Sequence, residues 1–474
     1  MVHILGQEPP VDEKIHPLEN KFRPYDDWHM HVYASMRSQR NACNYYRIEV
    51  PLRGMKKLEL ANSMIDKGDF HTNKEVADRY SLSSLLLSDV LLCYGMGETQ
   101  GHSIVDTIRG MNAGMFNNRV VYPPSVVYDI DDNLDWVHPY NFTYSFYGVR
   151  TEQGPLKVGD TVWTKDGQGN PVPLWEDKVT TGEKNIVFDI GKNWEYNKRL
   201  HDFARAADGF TTPSPHLAKY MRDTHQYPEP YVFPNSIIPE DWLFREFAPR
   251  PKENIRIMWQ GGGSHLSDWF HMVAPLRYIV RKYPNVTFVM FGELFPWVTD
   301  AIPPAQLEAH PWIPYDGYKP KRALMDCDIN LCVLRDDEFS RSKSAVKFYE
   351  GSLGPNPEAT LAPNMPPYAG EVVDGETGLL YDTGPTPEAM AESFVSNLEE
   401  LIKNVELRKR IAANAQAWVL ANRHYLKTVP GLYEYYYELR LKKMKDKPYD
   451  PEKDKLPAKP TRVSRPKAKV GKKK

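Results

Sequence analysis

The apolar and polar positions of this chain alternate between two periods. "SDVLLCYGM" is a short apolar run that predicts a buried strand. "HSIVDTIRGMNAG" has helical spacing and stops at glycine. "RVVYPPSVVYDI" returns to strand, with prolines that predict a break near Tyr122–Pro124. "NWEYNKRLHDFARAADGFTTPSPHLAKYMRD" gives a helix, a short strand and a second helix capped near Ser214, and "PYVFPNSI" another short strand. Strand, helix, strand is the rhythm of a parallel α/β domain. From residue 255 it starts again. "IRIMWQGGG" is a strand into a glycine turn, "DWFHMVAPLRYIVRKYP" an amphipathic helix and "VTFVMFGE" a buried strand. "KRALMDCDINLCVLR" predicts a short helix and a strand, and "SAVKFYEGSLG" a helix. "ATLAPN" and "GLLYD" read as strands, and helices follow to the end of the ordered chain.

Three segments break the rhythm. Residues 1–40 are polar and proline-bearing and read as an irregular arm. Residues 148–186 are rich in Gly, Val, Thr and Trp, with turn signals at Asp166–Gly167 and Gly169–Asn170, and predict a β-hairpin insertion. "FAPRPKEN" (247–254) reads as a linker. The expected division is an arm (1–40), a first α/β domain (41–246, with the insertion), a second α/β domain (247–425), a C-terminal helix (426–445) and a basic disordered tail (446–474).

Composition agrees with this division. A chain of 474 residues is too long for one ordinary core. Hydrophobic residues are 41% and charged residues 26%, as in water-soluble globular proteins. No apolar run is long enough to span a bilayer, and "MVHILGQEPPVDEK" lacks a signal-peptide pattern. Cys43, Cys93, Cys327 and Cys332 show no close chelating spacing. Cys327 and Cys332 are expected on one buried strand, and all four read as reduced thiols of a cytoplasmic protein. The net charge of −2 conceals an asymmetry: from Leu441 onward there are 14 Lys or Arg against 4 Asp or Glu. Such a tail suits nucleic acid, an anionic surface or a solvated linker. It is poor in aromatics, so no base-stacking platform is indicated.

Candidate chemistry gathers in four places. Gly261, Gly262 and Gly263 follow a strand directly, where backbone can approach a ligand and free N–H groups suit a diphosphate. Ser264 and His265 continue the turn. In "RDDEFSRSKSAVKFYEGSLG", Ser342 or Ser344 is positioned to cap a helix whose N-terminus carries Lys343, an arrangement that attracts anions. Glu350 lies further along, where a carboxylate can accept two ribose hydroxyls. "AGEVVDGETGLLYD" places a glycine turn and a strand after them. Finally, "VVYDIDDNLDWVHP" drives an apolar strand into Asp129, Asp131, Asp132 and Asp135. Metal binding would need two carboxylates converging on one ion, yet the adjacent Asp131 and Asp132 diverge in an extended loop. Helix capping and acid–base catalysis are the other two readings.

The glycine turn, the Lys343–Glu350 segment and "dG.tGLL", in that order, resemble the nucleotide-sugar half of the retaining family 4 glycosyltransferases. "VVYDIDDNLDWVHP" with "AADGFTTPSPHLAKYM" and "VFPNSI" is similar to a subset often encoded by bacteriophages and bacteria. The likeness covers roughly residues 40–425. It implies a GT-B fold, two Rossmann-like domains facing across a cleft, and transfer of a sugar from a nucleoside diphosphate sugar, with retention and with no cofactor or metal required. Glu350 matches the second glutamate of the family's paired-glutamate segment, but Ser342 stands where the first belongs. The family's basic diphosphate clamp is absent after the glycine turn, leaving Lys343 to replace that charge. Pro314 and Tyr315 fall where the family seats its base. The acidic loop would face the sugar, which favours Asp132 as the catalytic carboxylate, with Asp131 or His138 as alternatives. The acceptor is left open: a protein, a glycan or a modified DNA base. A nucleotide-sugar 2-epimerase and a non-catalytic nucleotide-sugar-binding scaffold are the competing functions.

Overall fold

The computed structural model describes residues 30–35, 42–66, 88–95, 99–116, 119–181, 186–242 and 254–450. Most of the expected arm, most of the linker and nearly all of the basic tail lie outside the described residues.

Two six-stranded parallel sheets organise the chain. The first runs Pro230–Val232, Gly209–Thr212, Ser125–Asp129, Val90–Tyr94, Met30–Ser35, Ala61–Asp66 in spatial order. The second runs Leu307–Pro311, Val286–Gly292, Ile255–Gly261, Ile329–Leu331, Ala359–Pro363, Leu379–Tyr381. Counted along the chain, the second order is 3-2-1-4-5-6, the doubly wound Rossmann order, and the first is 6-5-4-3-1-2, which also reverses once. Helices cover both faces, so the central strands are buried throughout: Val90–Tyr94 and Ser125–Asp129 are buried at every position.

The expected break near Tyr122–Pro124 is present. Arg119–Val121 and Ser125–Asp129 are separate strands. Ser214 caps Pro215–His225, accepting from Leu217 N at 3.3 Å. The insertion forms a hairpin of Thr161–Lys165 on Pro171–Glu176. Its turn is set by Asp166, whose carboxylate accepts from the backbone N–H groups of Gln168 and Asn170. Leu156 and Val162 close a small core with Val137, Tyr144, Phe188, Ile190 and Phe339 from the second half.

Three expectations need correction. Met30–Ser35, placed in the irregular arm, is a strand inside the first sheet, with Met30, Val32, Tyr33 and Ala34 buried. A strand of six residues is too short to show a clear period, and the polar residues before it hide its start. Cys327 and Cys332 flank the strand Ile329–Leu331 and do not lie within it. The basic run from Leu441 is partly structural. The last helix, Tyr425–Asp446, packs back onto the first sheet, and there Lys443 Nζ pairs with Asp208 at 2.9 Å. In the same helix Arg440 pairs with Asp89 at 3.0 Å.

Candidate active site

In a doubly wound sheet the crevice opens beyond the carboxyl ends of the strands, where the strand order reverses. In the second sheet the reversal lies between Ile255–Gly261 and Ile329–Leu331. In the first it lies between Met30–Ser35 and Val90–Tyr94. A cavity of about 360 Å³ is lined from both. Gly261, Gly262, Ser264, His265 and Leu334 come from the second sheet. Cys43, Tyr46, Asp131 and Asp132 come from the first.

The glycine turn is built for close backbone approach. A β-carbon on Gly292, at φ +124, would meet Gly261 O at 2.1 Å, so the strand ends press together there. Gly262 and Gly263 have open space around them. The turn continues as a 3-10 helix, Gly263–His265. Gly263 itself does not line the cavity. His265 is held by Asp268, its Nδ1 2.6 Å from Asp268 Oδ2, and the same carboxylate accepts from Arg335 N at 3.0 Å. Burial, and then the nearby lysine charges, push the His265 pKa well down. Burial also raises Asp268 to about 6.

Two lysines face this turn. Lys343 Nζ lies 3.2 Å from Asp132 Oδ1. Burial alone would lower its pKa, but Asp132 and Asp268 hold it above the ordinary value. Lys347, which sequence reasoning missed, also lines the cavity. Its Nζ is buried with no hydrogen-bond partner and lies over the Trp259 ring, 5.3 Å from the centroid. Burial drops its pKa to about 8. The four-residue spacing from Lys343 was the signal that could have found it.

The expected capping is not formed. The helix is Val346–Ser352 and its N-cap is Ala345, without a side-chain bond. Ser342 ends the preceding short helix. It is buried, donates to Glu338 O at 2.8 Å and accepts from Asn133 Nδ2 at 3.3 Å. Ser344 accepts from Asn235 Nδ2 at 2.8 Å and lines the cavity. Serines engaged with other elements cannot turn back to cap, so Lys343 stands on a loop before the helix.

Glu350 lines the cavity, but its oxygens are occupied. Tyr46 donates at 2.9 Å and Tyr315 at 3.3 Å to Oε1. Tyr318 donates at 2.7 Å and Gln260 at 3.0 Å to Oε2. Burial raises its pKa, and the tyrosine hydroxyls oppose the rise. Ribose hydroxyls can reach this carboxylate only by displacing a tyrosine or the Gln260 amide. Tyr315 is buried in this cage. Pro314 lies outside the cavity as the cap residue of Tyr315–Ala323, and Trp312 and Ile313 line the wall instead. Trp312 is an exposed aromatic that sequence reasoning passed over.

The four aspartates have four different partners. Asp129 takes a bidentate pair from the buried Arg47, at 2.9 and 2.7 Å, and a bond from Thr211. Asp131 accepts from the Tyr94 hydroxyl, and burial, with Asp132 beside it, raises its pKa. Asp132 faces Lys343. Asp135 points away, to Asn197, His201, His225 and Tyr220. Burial would raise the Asp135 pKa, but hydrogen bonds from the two histidines pull it well below the usual range. Asp135, His201 and His225 are the group, among the described residues, whose ligand atoms gather within 4.8 Å as a metal would require. The rings stack parallel, 3.6 Å apart at 7°, which reads as a clamp on the loop and lies apart from the cavity. His138 is outside the cavity too. Its Nε2 accepts from Arg335 Nη1 at 2.6 Å, and burial, then Arg335, lowers its pKa to about 4. A neutral imidazole whose accepting nitrogen is taken by Arg335, and whose Nδ1 lies 3.2 Å from Tyr140 N, is not placed to serve the cavity's chemistry.

No family model matches the sequence, and no curated protein matches it. Solved structures do. A glycosyltransferase from Rickettsia africae superposes with TM-score 0.51 at 11% identity, over 88% of this chain and 99% of that one. Anabaena HepE, solved in complex with UDP-glucose, superposes with TM-score 0.50 at 13% identity, over 86% of this chain and all of that one. The fold is GT-B. At these identities the likeness shows the fold alone. In this GT-B chain the cavity occupies the cleft between the two Rossmann-like sheets, with the lysines on one wall and the acidic loop on the other. Among the described residues, no helix is long and apolar enough to cross a membrane.

Proposed function

We propose that the chain is a glycosyltransferase that takes a sugar from a nucleoside diphosphate sugar, with the donor held in the cleft cavity. The observation that carries this reading is Lys347. A buried ammonium with no hydrogen-bond partner is costly unless an anion arrives. Here it faces a glycine turn with open space, at the reversal point of a Rossmann sheet, beside a second lysine. A diphosphate supplies the missing acceptor oxygens. The HepE complex supports a uridine nucleotide as the first donor to test. The exposed Trp312 offers the base a stacking face.

Donor binding changes the partner of Lys343. The diphosphate competes with Asp132 for the ammonium, and the freed carboxylate then faces the sugar. In the reaction the bond from the anomeric carbon to phosphate breaks and a bond to the acceptor oxygen forms. Lys343 and Lys347 stabilise the charge that develops on the leaving diphosphate. The family resemblance favours retention. The leaving phosphate oxygen then takes the acceptor's proton on the same face, while Asp132 holds a sugar hydroxyl. With inversion, Asp132 would take that proton itself. The anomeric configuration of the product distinguishes the two.

The test is thermal stabilisation by UDP, GDP, TDP and ADP sugars, with Lys347→Ala and Glu350→Ala beside the wild type. A rise specific to one donor and lost in Lys347→Ala supports the reading. No rise with any donor overturns it.

A further inference from the structure

A second cavity, of about 860 Å³, lies where the insertion meets the donor half. Its walls include His138 and Tyr140 from beyond the acidic loop, Glu152, Asp160 and Trp163 from the insertion, and Arg335 from the second half. It adjoins the donor cavity. Leu334 lines the first cavity and Arg335 the second, and Asp268 holds both Arg335 N and His265.

Trp163 carries the argument. Along Thr161–Lys165, Val162 turns inward to the core of the insertion, so Trp163 faces out, and it is 61% exposed. A bare indole on a groove wall is a surface awaiting a partner with its own apolar face. Tyr140 adds a second ring, stacked against His138 at 5.6 Å and fixed through Thr164. The polar groups around these rings mix the carboxylates of Glu152 and Asp160 with side chains that both donate and accept, Thr151, Gln153 and Thr161. A sugar ring matches this pattern, presenting C–H faces to aromatics and hydroxyl donors to carboxylates.

Charge argues against a DNA acceptor. Among the described residues that line the groove, Arg335 is the cation, and it is already paired with Glu152. Asp160 adds a negative charge, and His138 is held neutral. A polyanion entering here would meet carboxylates and release few counterions. We propose that this groove binds the acceptor, and that the acceptor is an uncharged oligosaccharide. This inference rests on the glycosyltransferase reading of the first cavity.

The test uses the full chain and its Trp163→Ala variant. Each is titrated with a panel of uncharged hexose and deoxyhexose oligomers and with a DNA duplex, by calorimetry, with donor binding measured in parallel. The expected result is wild-type binding of at least one oligomer, weakened tenfold or more in Trp163→Ala, with donor affinity unchanged. Oligomer binding that survives Trp163→Ala overturns the groove assignment. Binding of the duplex with no oligomer bound overturns the substrate class, as does a wild type that binds donor but no oligomer. Absence of donor binding in the wild type defeats the glycosyltransferase reading instead, and with it this inference.

Discussion

Lys343 and Asp132 stand 211 positions apart in sequence, and their charged atoms meet at 3.2 Å across the cleft. The pair joins the donor-side loop to the acidic loop. It also blocks each group's proposed role: while Lys343 neutralises Asp132, neither is free for a ligand. Asp132→Asn therefore separates binding from turnover. Turnover should fall at least tenfold, about 1.4 kcal/mol in the barrier. Affinity for the nucleoside diphosphate should hold or improve, because Lys343 loses a competing carboxylate. Steady-state kinetics with calorimetry on the same variant reads both. Unchanged turnover removes Asp132 from the chemistry.

Lys347 sets a pH dependence. Its pKa in the folded chain, about 8, lies below the ordinary lysine value. Burial is thus a stability penalty below about pH 8, relieved as pH rises through the interval to the unfolded value. A bound diphosphate favours the charged form, so binding takes up a proton above pH 8. Affinity should be flat below that pH and fall toward tenfold per unit above it. Lys347→Arg, charged throughout, should move the break upward. A profile with no break near pH 8 in the wild type contradicts the assignment.

Glu350 should govern stability as well as binding. Glu350→Ala leaves three tyrosine hydroxyls and the Gln260 amide without their acceptor in a buried site. A loss of about 1–3 kcal/mol is expected for such unmet groups. Glu350→Gln keeps one carbonyl acceptor and should lose less. Denaturant unfolding of both variants checks the order, and equal losses would argue against the tyrosine cage.

Arg47 and Asp129 form a buried pair with both side chains nearly inaccessible to water. Removing one charge strands the other. Arg47→Met should destabilise the chain by about 3–5 kcal/mol. The double variant with Asp129→Asn should recover part of that loss, measured by the same unfolding curves.

Much of the scaffold was legible in the sequence because buried parallel strands read as apolar runs and the helices between them keep their period. Val90–Tyr94, Ser125–Asp129 and Ile255–Gly261 are of this kind. Met30–Ser35 was not legible, since a short central strand among polar neighbours lacks both signals. The glycine turn was legible as a place of close backbone approach, because open space around Gly262 and Gly263 is a local property. The partners of the four aspartates were not. Asp129 meets Arg47 and Asp132 meets Lys343 only after the sheets have formed and faced each other. The same holds for Glu350, whose tyrosines come from two separate helices. Helix capping failed as a guide at Ser342 and Ser344 because tertiary partners took both hydroxyls.

The central claim is that the cleft binds a nucleoside diphosphate through Lys347. Calorimetric titration of UDP into the wild type and into Lys347→Ala at pH 7 tests it most directly. The account predicts saturable binding by the wild type and a loss of about tenfold or more in the variant, the scale of one charged hydrogen bond. Equal affinity in the two proteins would contradict it.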